Sequence, residues 1–199
     1  MDDLVTQGLA HLREVYPSSF AVYRKRPRSF SLAYAIHVIR LARLTSAHDL
    51  LPVAFMECCA LGPALVNGYL REDGAREHLA PADVGRCFQA QLRLVEARAN
   101  ASLLLFQPGS ATANCEDGDY ERSDEEEIAL VRNSIAHGKH PGLCNPMVFE
   151  SWQRFVRERL PELCDGCRRS FKDRELGIFA DVFARLPELV GVTVDGWKK

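Results

Sequence analysis

The pair Cys164-Asp-Gly-Cys167 is the local pattern in this sequence with a definite chemistry attached. Two thiolates three positions apart, with a glycine between them, can chelate one ion from a single tight turn. A structural zinc site is tetrahedral and needs two further ligands. Cys115 and Cys144 are the natural candidates, because both lie in irregular stretches where a cross-link would constrain the chain most. His137 and His140, in the adjacent turn, are the alternates. The expected metal ligands are therefore Cys115, Cys144, Cys164 and Cys167 around a structural zinc; the competing reading is unlinked thiols at a helix start. A redox role for the same pair is disfavoured, since thioredoxin-type motifs follow a strand in a βαβ setting that this sequence lacks. A helix beginning just after Cys164 would still lower its thiol pKa.

Cys58, Cys59 and Cys87 fall inside apolar helical stretches and read as small core hydrophobes. His37 and His48 read as helix-surface or corner residues, and Glu125 to Glu127 as a solvated helix start. No Ser or Cys stands in a nucleophile motif and there is no phosphate-binding glycine loop, so the sequence gives catalysis no positive support and a non-enzyme is expected. The sharpest electrostatic feature is Tyr23-Arg-Lys-Arg-Pro-Arg-Ser29. Its basic residues Arg24, Lys25, Arg26 and Arg28 would contact phosphates or act as a nuclear-import label; the alternative is a solvated connector.

Composition narrows the classes. A chain of 199 residues with 47% hydrophobic content fits one domain, or one with an appended subdomain. With 25 basic and 27 acidic residues the net charge is −2, which argues against general dependence on nucleic acid or anionic membrane. The apolar runs Leu50 to Met56 and Leu103 to Phe106 are too short to span a bilayer, and no signal-peptide pattern follows Met1. Seven cysteines without a secretory signal are expected to be thiols or metal ligands, placing the chain in cytosol or nucleus.

The elements that must position these residues are helical. Val5, Leu9, Leu12 and Tyr16 form an amphipathic stripe that Pro17 ends. A second helix, capped by Ser29 or Ser31, places Leu32, Ile36 and Ile39 on one face and His37, Arg40 and Arg43 on another. Ser46 to Asp49 makes a corner before an apolar helix over Leu50 to Cys59, with Pro52 in its first turn. A short helix through Val66 and Leu70 and a polar connector from Arg71 to His78 follow. Pro81 and Asp83 open the longest helix, in which Val84, Phe88, Leu92, Val95, Ala99, Leu103 and Phe106 hold register for more than five turns. Gly109 to Asp124 reads as a polar, acidic loop, before a stripe of Ile128, Val131 and Ile135. Phe149, Trp152, Val156 and Leu160 mark another helix. A last one, from Phe171 to Leu186, is stopped by Pro187, and Val190 to Val194 is read as an extended tail.

Several segments together resemble the helical region that follows the BTB/POZ domain in a large group of basidiomycete fungal proteins. The residues that carry the resemblance are Val15-Tyr-Pro-Ser-Ser-Phe20, Ala35-Ile-His-Val-Ile-Arg-Leu-Ala-Arg43, Leu51-Pro-Val-Ala-Phe-Met-Glu-Cys-Cys59 and Gly68-Tyr-Leu-Arg-Glu-Asp-Gly-Ala-Arg-Glu77. They continue as Leu79-Ala-Pro-Ala-Asp83, Glu150-Ser-Trp152, Leu163-Cys-Asp-Gly-Cys167 and Leu186-Pro-Glu-Leu189, in an order that covers nearly the whole chain. The resemblance implies a non-catalytic protein–protein interaction module, an adaptor or regulatory scaffold, with a protein partner and no enzyme activity. It also implies that the chain begins about where the BTB fold would end, so that it is either a fragment or a protein lacking that module. Such proteins often carry a cysteine pair in the loop after the long helix; here Cys115 stands without a close second cysteine, and Cys144 or a histidine would substitute.

The expected fold is all-α, an irregular multi-helix bundle like the BACK region after a BTB domain. Its expected parts are a helical bundle over 1–107, an acidic and turn-rich loop with a short helix over 108–146, and a C-terminal helical segment over 147–199. The leading function is protein interaction; the alternative is a nucleic-acid-associated transcriptional regulator using 24–28.

Overall fold

A computed structural model describes residues 2–26, 31–107, 122–138, 141–161 and 163–197. The fold is all-α. Among the described residues its regular elements are α1 (Asp2–Val15), α2 (Phe20–Tyr23), α3 (Tyr34–Thr45), α4 (Leu51–Ala60), α5 (Pro81–Leu105), α6 (Arg122–Ala136), α7 (Gln153–Arg159), α8 (Asp165–Ala184) and α9 (Leu186–Val190), with one small hairpin. The chain divides into two compact units, Met1–Leu94 with Phe183–Lys199, and Val95–Val182.

In the first unit α4 is the central element. Every residue from Leu51 to Cys59 is buried, which is why this helix shows no polar face: it packs on α3 on one side and on α9 on another. Pro52 sits in its first turn, where its missing N–H has no intrahelical partner to lose. α3 supplies Ile36, Val38, Ile39 and Ala42 to the same core. Its C-cap, Ser46, adopts the left-handed conformation (φ 56°), making the corner expected there. Pro187 does not stop a helix; it sits in the first turn of α9, whose Leu186, Leu189 and Val190 are buried.

Two stretches take a form that helical spacing does not suggest. Gly62–Asn67 is a 3-10 helix, and Tyr69–Leu70 then pairs antiparallel with Arg76–Glu77, in the register Tyr69 to Glu77 and Leu70 to Arg76. We name these strands β1 and β2. Gly68 enters the hairpin at φ 72°, and a Cβ there would collide with the Glu77 carbonyl oxygen. Gly68→Ala is accordingly expected to lower stability by about 1–3 kcal/mol, read from denaturant unfolding, whereas Gly74→Ala faces open space and meets only its own φ of 80°.

The regular apolar stripe of α5 is buried only in part: Phe106 is fully buried and Ala99 and Leu103 pack on the core, but two of its members are not covered. Phe88 and Leu92 are 50% and 75% exposed, while Cys87, Ala90, Leu94, Arg98, Ala101 and Leu105 are buried. The buried side contains small and polar residues, so hydrophobicity alone undervalues it. Arg98 is accommodated in the second unit by donating to the Met147 carbonyl (2.8 Å) and by lying 5.4 Å from the Trp152 ring.

The second unit is built on an aromatic centre. Phe106 meets Trp152 edge-on at 5.4 Å and Phe171 at 6.0 Å. Ile128, Val131 and Ile135 of α6 close over the same core. Phe149 and Trp152 precede α7 but are buried with Val156 and Leu160. The buried Glu175 of α8 accepts the Trp152 N–H and the Ser151 hydroxyl (2.8 Å), fixing the start of α7. Among the described residues no helix is long and apolar enough to cross a membrane.

Candidate functional site

The cysteine pair lies at the start of α8. Cys164 is the residue preceding the helix, and its Sγ accepts the Cys167 N–H at 3.4 Å, in the manner of a cap. Cys167 is 1% exposed and packs in the core with Phe171, while Cys164 is half-buried. Arg168 locks the approach to this turn by donating to the Leu163 carbonyl at 2.7 Å. Cys144 is exposed at the end of the 3-10 turn Pro141–Cys144, and His137 is exposed with its Nδ1 2.8 Å from the Asn133 carbonyl. Cys115 and His140 lie outside the described residues. Among the described residues no three His, Cys, Asp or Glu side chains converge to hold an ion. The described residues thus place two thiols in one turn, Cys167 buried in the core and Cys164 at the helix start.

The basic segment is divided in its use. Arg26 turns inward: its Nη2 lies 2.7 Å from Glu57 Oε1, both side chains being only 8% exposed, and its Nη1 donates to the Val15 carbonyl at 2.9 Å. Arg24 and Lys25 are exposed, and Arg28 lies outside the described residues. A phosphate contact through this segment would thus rest on Arg24 and Lys25 among the described residues, because moving Arg26 to a ligand would strand a buried carboxylate.

Three polar assemblies escape a reading of sequence because their members come from distant positions. In the first unit Glu77 of β2 lies 2.8 Å from His37 Nδ1 and 3.3 Å from Arg71 Nη1, with Arg40 at 3.8 Å. The Tyr34 and Tyr69 rings flank the imidazole at 5.6 and 6.3 Å. The cluster ties the hairpin to α3. Burial pushes the Glu77 carboxyl up, but the His37 hydrogen bond and charge, with Arg40 and Arg71, outweigh it and hold the group below its ordinary value. A lowered folded-state pKa gives stability that is present above the unfolded value and lost as pH falls through the folded one. The stability gap between the wild type and Glu77→Gln should therefore be open at neutral pH and close in acid, below the usual carboxylate range; a gap that widens on acidification would refute this assignment. The other two assemblies are the Arg26–Glu57 pair and a cluster of thiols from Cys58, Cys59 and Cys87.

The second unit carries an open groove of about 680 Å³ lined by Leu103 of α5 and by Ala129, Leu130, Arg132, Asn133 and Ala136 of α6. α6 forms this groove with the side opposite its core stripe: Ile128, Val131 and Ile135 point in, while Leu130 is 67% exposed. The surface is mostly apolar, with one cation, Arg132, and one carboxylate, Glu126, also in its lining. Comparison of the chain with protein families, with curated proteins and with solved structures finds no match in any of the three.

Proposed function

We propose that this chain is a non-catalytic protein-interaction module, an adaptor or regulatory scaffold working in cytosol or nucleus, equivalent to the helical region after a BTB/POZ domain in fungal proteins. The observation that carries the reading is the groove lined by α5 and α6, where the half-buried Leu103 lies beside the exposed Ala129 and Leu130. A large apolar side chain exposed beside a groove is what an amphipathic partner helix covers, its own apolar residues filling the space at three- and four-residue spacing. The mixed charge of Glu126 and Arg132 in the lining would orient such a helix rather than attract nucleic acid.

Leu130→Asp tests this without touching the core, because Leu130 is 67% exposed. Protein captured from cell extract by the wild type is expected to be lost at least tenfold with the variant, about the loss of one interface anchor. Both proteins should give the same helical circular-dichroism spectrum. Undiminished capture by Leu130→Asp would overturn the groove as the docking site.

A further inference from the structure

The outer face of α6 has the spacing of a helix-pairing seam. Glu126, Leu130, Asn133 and His137 recur at steps of four, three and four, and all four are exposed. Ala129 and Ala136, beside this line, are exposed too, and small side chains there let a second helix axis come close. His137 follows α6 but continues its turn, since its N–H donates to the Asn133 carbonyl at 3.0 Å. The groove shares Leu130 and Asn133 with a smaller hollow of about 290 Å³, lined by Leu130, Asn133, Ser134 and His137. Those positions are i, i+3, i+4 and i+7, the four that make a hole for one side chain of a facing helix. Leu130, 67% exposed, is a large apolar side chain of the kind that fills such a hole.

We propose that α6 pairs antiparallel with α6 of a second copy of this chain, so that self-association covers the docking groove. The inference rests on the reading of that groove as a docking face and adds its regulation: a partner helix enters only when the copies separate. A two-fold pair makes every contact reciprocal. Placing Leu130 of each copy in the hollow of the other fixes the register. Leu130 then faces Asn133 of the second copy, Ala129 faces Ser134, and Glu126 faces His137. Charge selects the direction. The sequence is acidic over Asp124 to Glu127, at the start of α6, and carries His137, Lys139 and His140 at and beyond its end. Antiparallel pairing brings the acidic end of one copy to the basic end of the other, whereas a parallel pair would set the acidic ends against each other. A seam of one helix is small for an interface, so the dimer should dissociate at about 10–100 μM.

The test uses the purified full chain. Sedimentation from about 1 to 300 μM should follow a reversible monomer–dimer equilibrium. Leu130→Asp should stay monomeric over the same range with an unchanged circular-dichroism spectrum. Glu126→Lys and His137→Glu should each weaken the dimer several-fold, and an equimolar mixture of the two should regain it, because the mixed pair has opposite charges at both contacts. A photo-crosslinking residue at position 133 should give a covalent dimer linked to the tryptic peptide Ser123–Arg132 of the second copy, not to the peptide 133–139. A chain monomeric throughout that range, a dimer that survives Leu130→Asp, or a link to 133–139 would overturn self-pairing. If such a monomer still captures protein from extract through Leu130, the docking reading stands and this inference alone falls. A Leu130-dependent dimer, with capture undiminished in Leu130→Asp, would support self-pairing and sink the docking reading instead.

Discussion

Arg26→Ala is expected to lower the stability of the first unit by about 3–5 kcal/mol, the loss seen when one partner of a buried ion pair is removed. The Arg26 and Glu57 side chains are each 8% exposed and lie 2.7 Å apart. Arg26 also holds the Val15 carbonyl at the end of α1 and stacks 4.2 Å over the Tyr23 ring of α2. Its removal therefore loosens the join between α1, α2 and α4 and leaves the Glu57 carboxylate unsolvated. The Tyr16 hydroxyl, buried beside the same carboxylate without an aligned hydrogen bond, cannot replace a cation. Replacing both partners, as in Arg26→Met with Glu57→Leu, should cost far less, because no charge is then left buried.

The variant also has a pH signature. Burial raises the Glu57 carboxyl above its ordinary value even with Arg26 beside it, since the cation only partly offsets desolvation. Without Arg26 it rises further. A raised folded-state pKa gives stability that is present below the unfolded value and lost as pH rises through the folded one. The deficit of Arg26→Ala should thus be greatest at neutral pH and narrow below about pH 4, where Glu57 is protonated in both states. Denaturant titrations at several pH values read this directly, and Arg24→Ala at the exposed neighbour should shift stability by less than about 0.5 kcal/mol.

Phe171→Ala is expected to remove about 3–5 kcal/mol from the second unit. Phe171 is fully buried, and its ring meets Phe106 at 6.0 Å in the core that also holds Trp152 and Cys167. Deleting it leaves a cavity lined by large rings that cannot all move inward. The chain has two tryptophans, and Trp197 belongs to the other unit, where it stacks on Phe183 at 5.1 Å. In a Trp197→Phe background, Trp152 emission therefore reports the second unit alone. Its unfolding midpoint should fall sharply with Phe171→Ala and stay put with Lys172→Ala, whose side chain is exposed.

Much of the helical layout is legible in the sequence. The apolar run that becomes α4 and the stripe Ile128, Val131 and Ile135 of α6 are both buried as their spacing implies. α5 shows where spacing misleads. Its most regular apolar series includes Phe88 and Leu92, which are exposed, while the buried side carries Cys87, Ala90, Ala101 and an Arg98 satisfied by a carbonyl, residues that a hydrophobic pattern undervalues. The hairpin at Tyr69–Leu70 is two residues per strand, too short for alternation to register. Of the chemistry, the spacing of Cys164 and Cys167 is visible, but not that Cys167 packs in a core and Cys164 caps α8. Glu57, Glu77 and Glu175 find partners more than twenty residues away, so no local pattern marks them.

The central claim is that the chain works by docking a protein on the α5–α6 groove. The most direct measurement places a photo-crosslinking residue at Asn133, which lines that groove, and in a second protein at Lys172, an exposed position on α8 of the same unit. The account predicts a defined protein adduct from position 133 after irradiation in cell extract, suppressed by adding Leu130→Asp, and none from position 172. Equal adducts from both positions, or an adduct from 133 that survives Leu130→Asp, would contradict it.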